Sequence, residues 1–165
     1  MKTKYITMTA IMTAIIYVTT AYIFHIPVSN GYVHIGDTFV YLAGCILPTQ
    51  YAILAGVLGA TLADGLTGYA VWILPSAIIK GLTAFVFTSK ENVILCKKNI
   101  IALFFSLIFC TLGYFIAEVI IYGNVWSAIP SIFSSSMQTL VSSVLFIGIG
   151  KALDRIHFKN DMVRG

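Results

Sequence analysis

Apolar residues fill five long stretches of the chain, 5–26, 37–63, 70–88, 99–122 and 128–150, separated by short polar breaks. A helix needs about 20 such residues to cross the hydrocarbon core of a bilayer, so four of the five read as single crossings. The stretch 37–63 is longer and is interrupted at Leu47-Pro48-Thr49-Gln50. Proline has no N–H to donate and pushes its predecessor out of the helical region, so two short helices broken at Pro48 are predicted. The first of them, Asp37 to Leu47, rises only about 16 Å at 1.5 Å per residue and must tilt, thin the bilayer or line an enclosed cavity. The predicted fold is an all-α integral membrane bundle of six transmembrane helices, one domain over residues 1–165 with no linker.

Composition agrees with this reading and charge orients it. Of the residues 59% are hydrophobic and 10% charged, with a mean hydropathy of +0.94, whereas soluble domains carry about 25% charged residues. Nine of the ten basic residues are Lys2, Lys4, Lys90, Lys97, Lys98, Lys151, Arg155, Lys159 and Arg164, and the tenth, Lys80, lies inside an apolar run. Five spans would divide the nine between the two faces. Six spans put all of them on one, which the positive-inside tendency makes cytoplasmic, with both termini inside and the chain multi-pass in a prokaryotic plasma membrane. Lys2 and Lys4 precede an apolar run too long for a secretory signal, and no cleavage-type site leads into a soluble domain. Cys45, Cys96 and Cys110 are expected to be free thiols.

The inferred outer loops, 27–36, 64–69 and 123–127, contain no Lys or Arg. Around them stand His34, Asp37, Asp64 and Glu118, with Asn30, Tyr32, Tyr69, Tyr122, Asn124 and Trp126. Ionisable groups are costly in lipid, so these should face the bundle interior or water. Helical spacing supports convergence: Trp72, Ser76 and Lys80 share a face, as do Tyr114, Glu118 and Tyr122, and Ser131, Ser134, Ser135, Gln138 and Ser142 form a stripe. Each has a structural alternative. Small-residue stripes, including Gly56, Gly59, Ala60 and Ala63, serve helix packing; aromatic residues at span ends serve as interfacial anchors. Asp37 and Asp64 can cap helices, and a loop histidine such as His34 can be merely solvated. Lys80 sits near mid-membrane and needs a partner, for which Glu118 or Asp64 is the structural candidate, or else it faces a substrate.

No Gly-Lys-Ser/Thr phosphate loop, His-Glu-x-x-His, Gly-x-Ser-x-Gly or Cys-x-x-Cys occurs, so no ATP hydrolysis, metal centre or catalytic residue is expected of this chain. The net charge of +4 and basic tail suit a lipid surface better than nucleic acid. A binding or transport protein is the favoured reading, with a self-sufficient small carrier or channel and an intramembrane enzyme as alternatives.

The stretches His34-Ile-Gly-Asp37-Thr-Phe, Gly56-Val-Leu-Gly59-Ala-Thr-Leu-Ala-Asp64 and Ile79-Lys80-Gly81-Leu82, within six spans and about 165 residues, resemble the substrate-binding S components of energy-coupling factor (ECF) vitamin transporters. Within that family they look like the riboflavin, pyridoxine and hydroxymethylpyrimidine subgroup. Ala10-Ile-Met-Thr-Ala14 matches the small-x-x-x-small patch by which the family docks its transmembrane coupling (T) subunit. Where many relatives read Gly-Pro-x-x-Gly, this chain has Leu47-Pro48-Thr49-Gln50, which weakens the subgroup assignment. The resemblance implies capture of a vitamin from outside, toppling against the T subunit, and ATP hydrolysis by two separate ATPase subunits, with no cofactor on this chain. The expected pocket residues are His34, Asp37, Asp64, Trp72, Lys80, Glu118, Tyr122 and Gln138. Carboxylates would bond a heterocycle edge, Trp72 or Tyr122 would stack on it, and Lys80 would meet a phenolate. That ordering puts pyridoxine ahead of hydroxymethylpyrimidine and both ahead of riboflavin.

Overall fold

The computed structural model describes residues 2–28 and 31–159, so Asn30 and Arg164 lie outside the described residues. Six long helices account for most of it: α1 (Lys2–Ala21), α2 (Asp37–Ile46), α3 (Thr49–Leu66), α4 (Ile73–Val86), α5 (Lys97–Tyr122) and α6 (Val125–Arg155). The all-α expectation has one exception. Residues expected as a plain loop pair instead as a hairpin, β1 (Ile26–Val28) with β2 (Gly31–Val33), Ile26 opposite Val33.

The boundaries follow local chemistry. Leu47 adopts an extended conformation before Pro48, which holds the cap position ahead of α3, so the predicted break falls where proline sterics put it. Pro75 sits in the first turn of α4, where its missing N–H costs nothing. Gly123 closes α5 in the left-handed conformation, and the Asn124 side chain then accepts from the Trp126 and Ser127 amides to cap α6.

One helix, α2, lies inside the bundle. α1 packs on α3, α3 on α4, α4 on α5 and α5 on α6, while α2 touches α1, α3, α4 and α6. Every residue of α2 but Phe39 is buried. A ten-residue helix need not match the bilayer when protein encloses it, which resolves the length problem posed by the sequence. Its core contacts include Tyr41 stacked on Phe87 with ring centres 5.0 Å apart, and Phe146 meeting both rings edge-on. Asp37 is the first residue of α2, but Gly36 takes the cap position without a side-chain bond. The capping alternative for Asp37 is therefore corrected: its carboxylate turns inward, as described below.

Two ends are distinguished. At one, Tyr5 stacks on Tyr51, and Asp154 accepts the Ile94 and Leu95 amides, tying the α4–α5 connection to the end of α6. This end carries Lys90, Lys97, Lys98, Lys151 and Arg155. The hairpin lies at the other. α5 and α6 are long and apolar enough to cross a bilayer unaided. Large apolar side chains such as Leu74, Phe104, Ile120 and Val144 point outward, an arrangement suited to lipid and far beyond what a soluble monomer exposes.

The small residues of α3 have the packing role open to them. A Cβ on Gly59 would lie 2.6 Å from Ile16 Cγ2 and 3.0 Å from the Thr13 carbonyl. Gly59→Ala improves helix propensity by about 1 kcal/mol, but backbone cannot yield like a flexible side chain. A net loss of about 1–3 kcal/mol is expected, read as a lower unfolding midpoint in detergent micelles; an unchanged midpoint would refute the close α1–α3 contact.

Candidate functional site

Beneath the hairpin, a cavity of about 260 Å³ opens between α3, α4, α5 and α6. The end of β2 and the residue after it contribute Tyr32 and His34, and α3 contributes Asp64. Trp72, in the single 3₁₀ turn before α4, and Ser76 one turn further on form the next wall. From α5 come Tyr114 and Glu118, and from α6 the serines Ser131, Ser134 and Ser135, then Gln138. The cavity is thus aromatic on its sides and carries two carboxylates and a row of hydroxyls.

Its polar groups are held in place. The Tyr32 hydroxyl donates to Asp64 Oδ1 at 2.5 Å. Ser76 Oγ lies 3.2 Å from the Tyr114 hydroxyl, whose ring meets Trp72 edge-on. Tyr32 in turn stacks on His25 at 4.0 Å and leans against Tyr69, so a small aromatic cluster roofs the cavity. Burial, and then the neighbouring Asp64 charge, raise the Tyr32 phenol far above its usual range, leaving it a fixed donor.

Under the floor lies a buried ion pair. Lys80 Nζ on α4 sits 2.5 Å from Asp37 Oδ1 on α2, the two side chains 1% and 0% exposed. Asp37 Oδ2 accepts from Gln138 Nε2 at 2.9 Å, and Gln138 Oε1 accepts from the His34 amide at 3.4 Å. Gln138 therefore links the loop to the ion pair while also bordering the cavity. The Lys80 ammonium further lies 5.1 Å from the centre of the Tyr114 ring.

Of the residues expected in a pocket, His34, Asp64, Trp72, Glu118 and Gln138 border this cavity. Asp37 and Lys80 lie just beneath it. Tyr122, at the end of α5, is 46% exposed and does not line it. The expected structural partner of Lys80, Glu118 or Asp64, is corrected to Asp37: α2 fills the bundle centre and brings its first residue to α4. Tyr32, Ser76, Tyr114 and the three serines were not among the expected pocket residues. Ser76, Tyr114 and the serines lie on the polar stripes already visible at helical spacing, whereas the sequence leaves Tyr32 between an interfacial anchor and a pocket aromatic. Ala10 and Ala14 lie elsewhere, in a shallow apolar groove between α1 and α3 formed with Ile6, Tyr17, Leu54 and Leu58. The three cysteines are free. Among the described residues no three His, Cys, Asp or Glu side chains are grouped to hold a metal ion.

The family model for the S component of the ECF-type riboflavin transporter matches residues 1–155. No curated protein matches the chain.

Proposed function

Because the chain belongs to the family of ECF-type riboflavin transporter S components, we propose that the hairpin-covered cavity captures a small water-soluble vitamin, riboflavin ahead of pyridoxine and hydroxymethylpyrimidine. An S component is a membrane-embedded transport subunit, not an enzyme, and serves vitamin uptake together with T and ATPase subunits. The observation that carries the proposal is the cavity itself: aromatic walls from Trp72 and Tyr114, with Asp64, Glu118 and a serine row placed to bond a hydroxylated heterocycle.

Riboflavin comes first because the family description names it. The sequence reading favoured pyridoxine through a phenolate at Lys80, but that ammonium is engaged by Asp37. Pyridoxine is kept second because about 260 Å³ is small beside the roughly 300–1,000 Å³ of typical ligand pockets. In the proposed orientation the six helices are six spans, the basic end and both termini face the cytoplasm of a prokaryotic cell, and the hairpin faces outward. Delivery then proceeds by toppling against the T subunit at the Ala10–Ala14 groove, driven by two ATPase subunits.

Calorimetric titration of the purified protein with the three compounds tests this. Riboflavin is expected to bind and to displace pyridoxine. Silence from all three would sink the vitamin reading, and uptake into proteoliposomes holding this chain alone would favour a self-sufficient carrier.

A further inference from the structure

We infer that His34 is locked as the Nε2–H tautomer and works as a hydrogen-bond donor to the ligand, which must therefore turn an acceptor, a carbonyl oxygen or a ring nitrogen, toward it. The inference rests on the vitamin-capture reading and adds to it a rule for the ligand's edge.

The lock is a backbone contact. The Gly36 amide donates to His34 Nδ1 at 3.0 Å in a buried setting. An amide N–H can only donate, so Nδ1 must present its lone pair, and the proton of a neutral imidazole is left on Nε2. Burial keeps the ring neutral, pushing its pKa down to about 3; the Asp37 charge opposes this, while those of Lys80 and His25 assist it. The titratable groups facing it are Asp37 on α2, Lys80 on α4, His25 ahead of β1 and Tyr32 on β2. With Nδ1 occupied, the ring has only a donor to offer the cavity it borders.

Glycine at position 36 leaves room for this contact. A Cβ there would stand 2.0 Å from Thr20 Oγ1 and 3.1 Å from His34 Nδ1, so a side chain would force Thr20 aside and press on the ring. From the other side, the His34 backbone is tied through Gln138 to the Asp37–Lys80 pair. His34, Gly36 and Asp37 thus act as one device: a ring, the amide that sets its tautomer, and the anchor beneath. Across the cavity Asp64 and Glu118 place carboxyl oxygens, one of which, Asp64 Oδ1, already accepts from Tyr32. The site therefore has a donor side and an acceptor side, and it suits a heterocycle with an acceptor on one edge and N–H or hydroxyl donors on another.

Nitrogen NMR on the full chain with labelled histidine, in detergent micelles, tests the lock. The His34 resonances, assigned by their loss in His34→Asn, are expected to show a pyridine-type Nδ1 and a pyrrole-type Nε2, unchanged between pH 8 and pH 5. The opposite pattern, or an imidazolium appearing by pH 5, overturns it. His34→Asn tests the donor role, since its Oδ1 can still take the Gly36 amide while its NH₂ stops short of the Nε2 position. Riboflavin affinity, or pyridoxine affinity if that is the vitamin bound, should fall about 10–100-fold with the unfolding midpoint retained. Undiminished affinity refutes the donor role. If the native protein binds none of the three vitamins, the capture reading and the ligand rule fail together, and the nitrogen shifts still judge the tautomer.

Discussion

Lys80→Met is expected to destabilise the protein by about 3–5 kcal/mol, the range found when one partner of a buried ion pair is removed. The cause is less the lost attraction than the charge left behind: Asp37 is fully buried and would keep only the Gln138 amide and the long Cys110 thiol contact as donors. The double variant Asp37→Asn/Lys80→Met removes both charges and keeps an acceptor for Gln138. It should recover most of the loss, since apolar or neutral replacements of whole buried pairs are often tolerated. Thermal unfolding in detergent of the native protein, the two single variants and the double gives the coupling directly. Additive losses would show that the pair does not act as a unit.

The second large effect is expected at the other face. Ala14→Trp fills the α1–α3 groove with a side chain that a docked helix cannot share, at a cost of about 1–3 kcal/mol for overpacking. Since each 1.4 kcal/mol is tenfold in affinity, uptake in cells that supply the T and ATPase subunits should drop about 10–100-fold. Binding by the isolated chain should survive, because the groove and the proposed vitamin cavity have no lining residue in common. Loss of binding in Ala14→Trp would undermine the separate docking face.

Much of the architecture was legible because it is set locally. Pro48 breaks a helix wherever it stands, and Gly123-Asn124 ends one helix and caps the next with their own backbone and side chain. The stripes Trp72/Ser76 and Tyr114/Glu118 were legible for the same reason, since four-residue spacing puts both members of each pair on one face. The partner of Lys80 was not legible. It depends on which helix occupies the bundle centre, and the residues of α2 look no different in sequence from those of an ordinary half-span. The hairpin was missed because three-residue strands leave too short a pattern to detect. Tyr32 was weighed as an interfacial anchor because nothing local says that its hydroxyl finds Asp64.

The central position of α2 also bears on the order in which the molecule can be assembled. α2 is synthesised before α4 and α6, yet it is walled in by both. Asp37 must therefore enter the membrane region before the lysine that will neutralise it exists, and in lipid a lone carboxylate is unfavourable. α2 therefore gains its charge partner and its walls only when α4 and α6 are in place. It reaches its seat once the later helices close around it, so the last half of the chain decides whether the first half is finished.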